Sequence, residues 1–221
     1  MYKDIIMDKI LEPILKSPKL HDYLKIIQKT VETENQKRKR FYKEITPNIK
    51  AEFINGEIII HSPVIKKHNT VTGMFYRFLS IYNDINKLGF VGFEKILIQL
   101  TRNDYEPDIC FFKNNKASKF TDEQMFFPAP DFIVEILSKS TEKRDRGIKF
   151  KDYALHGVGE YWINNPEKEI IEQYILNDKE YKLIKKTDSG IITSIEINGF
   201  EMPVKAIFDE QENLKELLKI K

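Results

Sequence analysis

The sequence predicts a mixed α/β fold, an α+β arrangement in which helices flank a central mixed sheet. Three observations carry this. Asn55-Gly56 lies between two short apolar runs, 49–54 and 57–61, the strongest short-range signature of a two-residue hairpin because both turn positions need positive φ. Residues 66–85 place Val71, Met74, Phe75, Phe78, Leu79 and Tyr82 at helical intervals. Three strand-like runs follow, at 90–100, 108–112 and 132–137, and then a helix at 141–156 and the strand 160–164.

The remaining elements fall around that frame. Leu20, Tyr23, Leu24, Ile27 and Val31 have helical spacing, while Pro13 and Pro18 limit residues 1–18 to a short helix and a connector. With the basic run Lys37-Arg38-Lys39-Arg40, residues 1–44 read as an N-terminal helical extension and 45–221 as the main domain. Gly89 is expected to end the long helix, Ser140 or Thr141 to cap the later one, and Gly157 to lie just past its end. A second hairpin is expected around Asn177-Asp178-Lys179, a further strand at 191–197, and a closing helix from about Asp209 to Ile220. All strands are expected in one sheet.

Composition narrows the function classes. The 221 residues are 41% hydrophobic and 32% charged, as in a soluble globular chain rather than a disordered one. Lys plus Arg number 36 against 34 Asp plus Glu, so any nucleic-acid partner must be met by a local patch rather than by overall charge. One cysteine, Cys110, no apolar run long enough to span a bilayer and no signal-like N-terminus lead to the expectation of a cytoplasmic protein.

Glu135 is the most informative residue. It interrupts Phe132-Ile133-Val134-Glu135-Ile136-Leu137, which otherwise reads as a strand buried on both faces. A lone buried carboxylate there costs several kcal/mol unless it is paired, protonated or bound to a metal, so Glu135 belongs to a structural ion pair or to a site. A second acid, Asp108, stands where Glu106-Pro107 enters the apolar strand Ile109–Phe112. Two strand carboxylates and one backbone carbonyl, that of Ile136, could hold Mg²⁺ or Mn²⁺, which prefers such oxygens together with waters. On the next helix Asp145 and Lys149 lie four apart and share a face, and a lysine over the sheet end could stabilise charge developing on a phosphate. Lys139, Lys143, Arg144, Arg146 and Lys151 would make the neighbourhood basic. Each residue has a bland alternative: a strand-entry residue for Asp108, an exposed i,i+4 pair for Asp145 and Lys149, and local hydrogen bonding for His68 and His156. Tyr161 and Trp162 read as core. It is the joint order, acid at a strand mouth, acid in the next strand and lysine on the next helix, that points to a site.

At these residues the chain resembles the "putative restriction endonuclease" family of the PD-(D/E)XK nuclease superfamily. The matching stretches are Glu52–Glu57, Ser62-Pro63 with His68, Glu106-Pro107-Asp108, Pro130–Ser138, Arg144-Asp145 with Lys149 and Tyr153, and Gly157–Ile163. The resemblance spans roughly residues 45–210 and implies a restriction-endonuclease-like mixed sheet with a divalent metal on Asp108 and Glu135. The usual lysine two residues after the Glu is replaced by Leu137, and the family pattern points to Lys149 instead. The implied activity is hydrolysis of DNA phosphodiesters by metal-activated water, with Asp145 positioning Lys149 and a possible homodimer. The alternative is a catalytically silent nuclease-fold module that binds nucleic acid or protein.

Overall fold

The computed structural model describes residues 2–220, so Met1 and Lys221 of the expected extension and main domain lie outside the described residues. It opens with two helices, α1 (Tyr2–Leu15) and α2 (Leu20–Glu44). Pro13 does not stop α1, because near the helix end the missing N–H removes a single bond; the break comes at the turn holding Pro18. The basic run 37–40 lies inside α2 rather than after it.

The hairpin forms as the sequence requires: β1 (Ala51–Ile54) pairs antiparallel with β2 (Glu57–Ile60), with Asn55 at φ 51° and Gly56 at φ 81°. Next comes α3 (Lys66–Asn86), whose left-handed stop is Lys87 at φ 53°, not Gly89, which instead opens β3 (Gly89–Phe93). The run expected as one strand over 90–100 is two. Glu94 takes φ 57° and turns the chain out of one sheet into another, where β4 (Leu97–Gln99) lies. Then follow β5 (Asp104–Tyr105), β6 (Ile109–Lys113), the short α4 (Asn114–Ala117), β7 (Phe126–Phe127) and β8 (Phe132–Ile136).

The helix expected at 141–156 is interrupted by one wide turn. It runs as α5 (Glu142–Arg144), a π-helical turn Asp145–Lys149, and α6 (Phe150–Leu155). Gly157 follows at φ 79°. The chain closes with β9 (Glu160–Asn165), β10 (Ile170–Asn177), β11 (Glu180–Thr187), β12 (Ile191–Thr193), β13 (Glu201–Pro203), α7 (Lys205–Phe208) and α8 (Glu210–Leu217). Asp209 caps α8 by accepting from the backbone N–H of Gln211 and Glu212, each at 2.9 Å.

These strands form two principal sheets, not one. The larger has the order β11-β10-β9-β8-β6-β3, with β8 and β9 parallel and its other neighbours antiparallel. The smaller has the order β2-β1-β5-β4-β7 and takes the hairpin away from the main sheet. Alternation along β6 and β8 sorts their side chains. Ile109, Phe111, Phe132, Val134 and Ile136 share a core with α3, while Cys110, Phe112, Ile133 and Leu137 pack with Tyr153 of α6 and Tyr105 of the smaller sheet. Tyr161 and Trp162 are fully buried, one on each side.

The second face is the one that matters for chemistry. By parity Asp108 lies on the Cys110 side of its strand and Glu135 on the Ile133 side of its own, both toward the smaller sheet. The register Ile109↔Val134 and Cys110↔Ile133, continued by one residue, sets Asp108 opposite Glu135.

Among the described residues, the side-chain bonds that pin helix α2 to the body come from its C-terminal half. Arg38 forks onto Asp104, donating to Oδ2 at 2.8 Å and Oδ1 at 2.6 Å, and also donates to the carbonyls of Leu100 and Thr101. Phe41 stacks on Phe53 at 5.8 Å. Among the described residues the stripe Leu24, Ile27 and Val31 remains about half exposed.

Candidate active site

The sequence places an acid inside an apolar strand twice. Glu52 in Ala51-Glu52-Phe53-Ile54 is as anomalous as Glu135, and the structure brings the two together from different sheets. Lys149 lies between them. Its Nζ is 2.8 Å from Glu52 Oε1, 3.0 Å from Glu135 Oε1 and 3.5 Å from Asp145 Oδ1, with all four side chains at most 3% exposed. Asp145 and Lys149 begin and end the π-helical turn, and both face inward from it. Wide turns of this kind recur where a helix must aim particular side chains. The pair is therefore buried rather than an exposed i,i+4 ion pair.

Asp108 and Glu135 meet through backbone as well as side chain. The Ile136 N–H donates to Asp108 Oδ2 at 2.8 Å, and the Asp108 N–H reaches Glu135 Oε2 at 3.4 Å. His68, in the first turn of α3, brings Nε2 to 3.3 Å from Asp108 Oδ2 while its Nδ1 lies 3.5 Å from Thr72 Oγ1. So His68 is more than a locally bonded helix-start residue. Lys50 Nζ is 3.9 Å from Asp108 Oδ1 and 2.7 Å from Glu94. Tyr153 donates to Glu135 Oε1 at 3.3 Å. The cluster is nearly closed: Asp108 and Lys50 keep only 11% and 16% side-chain exposure, and His61, 3.2 Å from Glu52 Oε2, keeps 13%. His156 bonds away from the cluster, to the Asp152 carbonyl and to Thr101.

The electrostatics follow from burial and from the number of carboxylates sharing one ammonium. Burial works against the charge of Lys149, but Glu135, Glu52 and Asp145 outweigh it and hold the ammonium well above the ordinary lysine range. Glu52 is also opposed by burial, yet Lys149 and His61 bring it down to about 2. Burial pushes Glu135 well above the carboxylate range; Lys149 pulls against this and Asp145, Asp108 and Glu52 add to it. Asp145 is raised for the same first reason. Asp108, despite burial, is held below its usual value by His68, Lys50 and the Ile136 N–H. One ammonium is shared among three enclosed carboxylates; Glu52 is lowered, while Glu135 and Asp145 are raised.

This donor set fits a hard divalent cation. Glu52, Asp108, Glu135 and Asp145 face only Lys149 and Lys50 as lysines within 4 Å among the described residues. Glu52 Oε2 is met at 3.2 Å by His61 Nε2 and Asp145 Oδ1 at 3.5 Å by Lys149 Nζ, and neither buried oxygen has a further partner among the described residues. All the available oxygens are carboxylate or carbonyl, the chemistry that Mg²⁺ and Mn²⁺ prefer. Among the described residues no three acidic, cysteine or histidine side chains already stand at ligand spacing, so loading would require Glu135 to loosen its hold on Lys149.

Comparison with known proteins places the chain. Residues 39–205 match the model of the Uma2 family, described as "Putative restriction endonuclease". The chain belongs to the Uma2 family. A Synechocystis sp. (strain ATCC 27184 / PCC 6803 / Kazusa) relative, the uncharacterized protein sll1609, is 29% identical over 138 residues, covering 61% of this chain and 73% of its own. Among solved structures, a putative nuclease belonging to DUF820 from Anabaena variabilis ATCC 29413 superposes with a TM-score of 0.62 at 20% identity, over 76% of this chain and 94% of that one. The superposition establishes the fold shared by this Uma2 chain: mixed sheets flanked by helices.

The sequence pattern named Asp108, Glu135, Ile136, Asp145 and Lys149, and the structure gathers them all at one end of the main sheet. It did not single out Glu52, Lys50 or His68 as members of that cluster. For Glu52 the signal was present, since an acid in an apolar strand is the same anomaly as at Glu135. His68 stood in the matched pattern but was read as locally bonded, and Lys50 carries no local signal, because the place of each depends on how the smaller sheet and α3 meet the main sheet.

Proposed function

We propose that this Uma2 protein is a metal-dependent endonuclease that hydrolyses DNA phosphodiester bonds. The observation that carries the reading is the juxtaposition of Asp108, the more exposed of the two acids, with Glu135, and of Lys149 with Glu135. Membership in a family described as "Putative restriction endonuclease" supports a nuclease. Asp108, Glu135 and the Ile136 carbonyl would hold Mg²⁺ or Mn²⁺. The ion would supply Lewis acidity toward phosphate and a lowered pKa for the attacking water. His68 orients Asp108 through the oxygen that also accepts from Ile136. Lys149 offers positive charge for the phosphate as it becomes more negative, and Asp145 and Glu52 hold it in place from opposite sides. Exposed Lys139, Lys143 and Lys151 on and beside the following helix would meet the sugar–phosphate backbone.

A second reading, a nuclease fold that binds without cutting, is favoured by one observation: Lys149 already satisfies the Glu135 oxygen that an ion would need. Crystals soaked in Mn²⁺ separate the two. Anomalous density between Asp108 and Glu135, with Lys149 Nζ displaced from Glu135, is the expected result. Density absent there, with Lys149 unmoved at high Mn²⁺, would remove the metal site and favour the silent module.

A further inference from the structure

The long helix α2 carries one continuous seam. Residues Leu20, Leu24, Ile27, Val31, Glu34, Arg38, Phe41 and Ile45 follow a strict 4-3-4-3 spacing, the a/d pattern of a coiled coil. The C-terminal half of the seam is used by this chain: Glu34 pairs with Arg102, Arg38 with Asp104, and Phe41 is buried on Phe53. The N-terminal half is bare. Leu24, Ile27 and Val31 are 48%, 50% and 51% exposed, and Ile10 and Leu15 of α1 are more than 60% exposed.

We propose that this bare half-seam is a dimer interface, and that its occupant is the N-terminal arm of a second copy of this chain. The flanking positions identify the partner. In this register the e and g sites beside the uncovered seam are His21, Tyr23, Gln28 and Thr30, while Lys19, Asp22, Lys25, Lys29 and Glu32 fall on the outward b, c and f sites. Charged e and g residues are what normally select a different partner or repel an identical one, and here there are none. Two antiparallel copies layer Leu24 on Ile27 and Leu20 on Val31, so every a site meets a d site. Four seam residues are too few for a stable coiled coil alone. Ile10, Leu11 and Leu15 of α1 are exposed as well and add apolar surface on the same arm. These three and the four seam residues are fewer than the roughly 20–30 residues a side of a standard interface, which places the dimer among the weaker ones. A groove bordered by Ile27, Val31, Phe53 and Arg102 continues the apolar surface back to the body.

The test is the mass of the full-length chain in solution, measured without metal or nucleic acid, so that its outcome is independent of the nuclease reading. Sedimentation equilibrium should give twice the chain mass at about 100 μM, far above a micromolar dissociation constant. The double variant Leu24→Glu/Ile27→Glu should weaken the dimer at least about 100-fold while the melt of the body is unchanged. A gentler check guards against an arm that fails to fold. Mixing Leu24→Cys with Ile27→Cys should give an oxidised heterodimer faster than either variant gives a homodimer. A wild-type chain that stays monomeric at that concentration, including one that instead sediments with lipid vesicles, would overturn the proposal. So would a dimer that survives both glutamates.

Discussion

Replacing Lys149 by methionine keeps the side-chain length and removes the ammonium that Glu52, Glu135 and Asp145 share at 2.8, 3.0 and 3.5 Å. The variant must then either bury uncompensated charge, at roughly 3–5 kcal/mol, or protonate a carboxylate. Protonation of a glutamate with an unfolded value of 4.5 costs, at about 1.4 kcal/mol per pH unit, roughly 5 kcal/mol at pH 8 and about 1 kcal/mol at pH 5. The cheaper route sets the deficit: about 3–5 kcal/mol at pH 8, shrinking to about 1 kcal/mol at pH 5. The sign follows from linkage. Glu135 and Asp145 already have raised values in the wild type, so the change falls on Glu52, which Lys149 and His61 hold at about 2; without the ammonium its folded value also rises above the unfolded one, and its contribution is then present at low pH and lost as pH rises. The lysine of the wild type, raised above 10.5, contributes evenly across this window. Urea unfolding followed through the single, fully buried Trp162 reads the difference at both pH values. A deficit that does not change with pH, or a variant as stable as the wild type at pH 8, would refute the claim that Lys149 is the cation holding this cluster together.

Three further outcomes follow from the same geometry. Glu106, pushed up to about 7 by burial, costs stability as pH rises from 4.5 through that value, so Glu106→Gln should gain up to about 3 kcal/mol at pH 8 and little at pH 5; an equal change at both pH values would contradict this. Arg38→Met strands the fully buried Asp104 and should cost about 3–5 kcal/mol, with loss of α2 protection in hydrogen exchange; intact protection would show that Phe41 alone anchors the helix. Mn²⁺ at about 100 times its dissociation constant should raise the wild-type stability by about 2.7 kcal/mol and leave Asp108→Asn unchanged, read by thermal melting.

The parts of this fold that depend on local chemistry were legible in the sequence. Asn55-Gly56 specified its hairpin, the spacing of Val71 to Leu79 specified α3, and an acid in an apolar strand marked Glu135 as a residue needing a partner. What depended on long-range assembly was not. The split into two sheets turns on Glu94 adopting a left-handed conformation, for which a glutamate gives no signal. The π-helical turn leaves the pattern of Thr141–His156 indistinguishable from a plain helix, so the inward aim of both Asp145 and Lys149 could not be seen. Glu52 was readable by the rule applied to Glu135, but its partner lies 97 residues away on another element, as the numbering of Glu52 and Lys149 shows.

The central claim, that Asp108 and Glu135 form the cutting centre of a nuclease, is tested most directly by cleavage of plasmid DNA with and without Mg²⁺ or Mn²⁺. Wild type, Asp108→Asn and Glu135→Gln should be compared at matched folded concentration. The account predicts nicking or linearisation by the wild type only with the metal, and at least about a 100-fold loss in each variant while the Trp162 unfolding transition persists. A wild type that leaves DNA intact under every divalent metal, or a Glu135→Gln that cuts as well as the wild type, would contradict it.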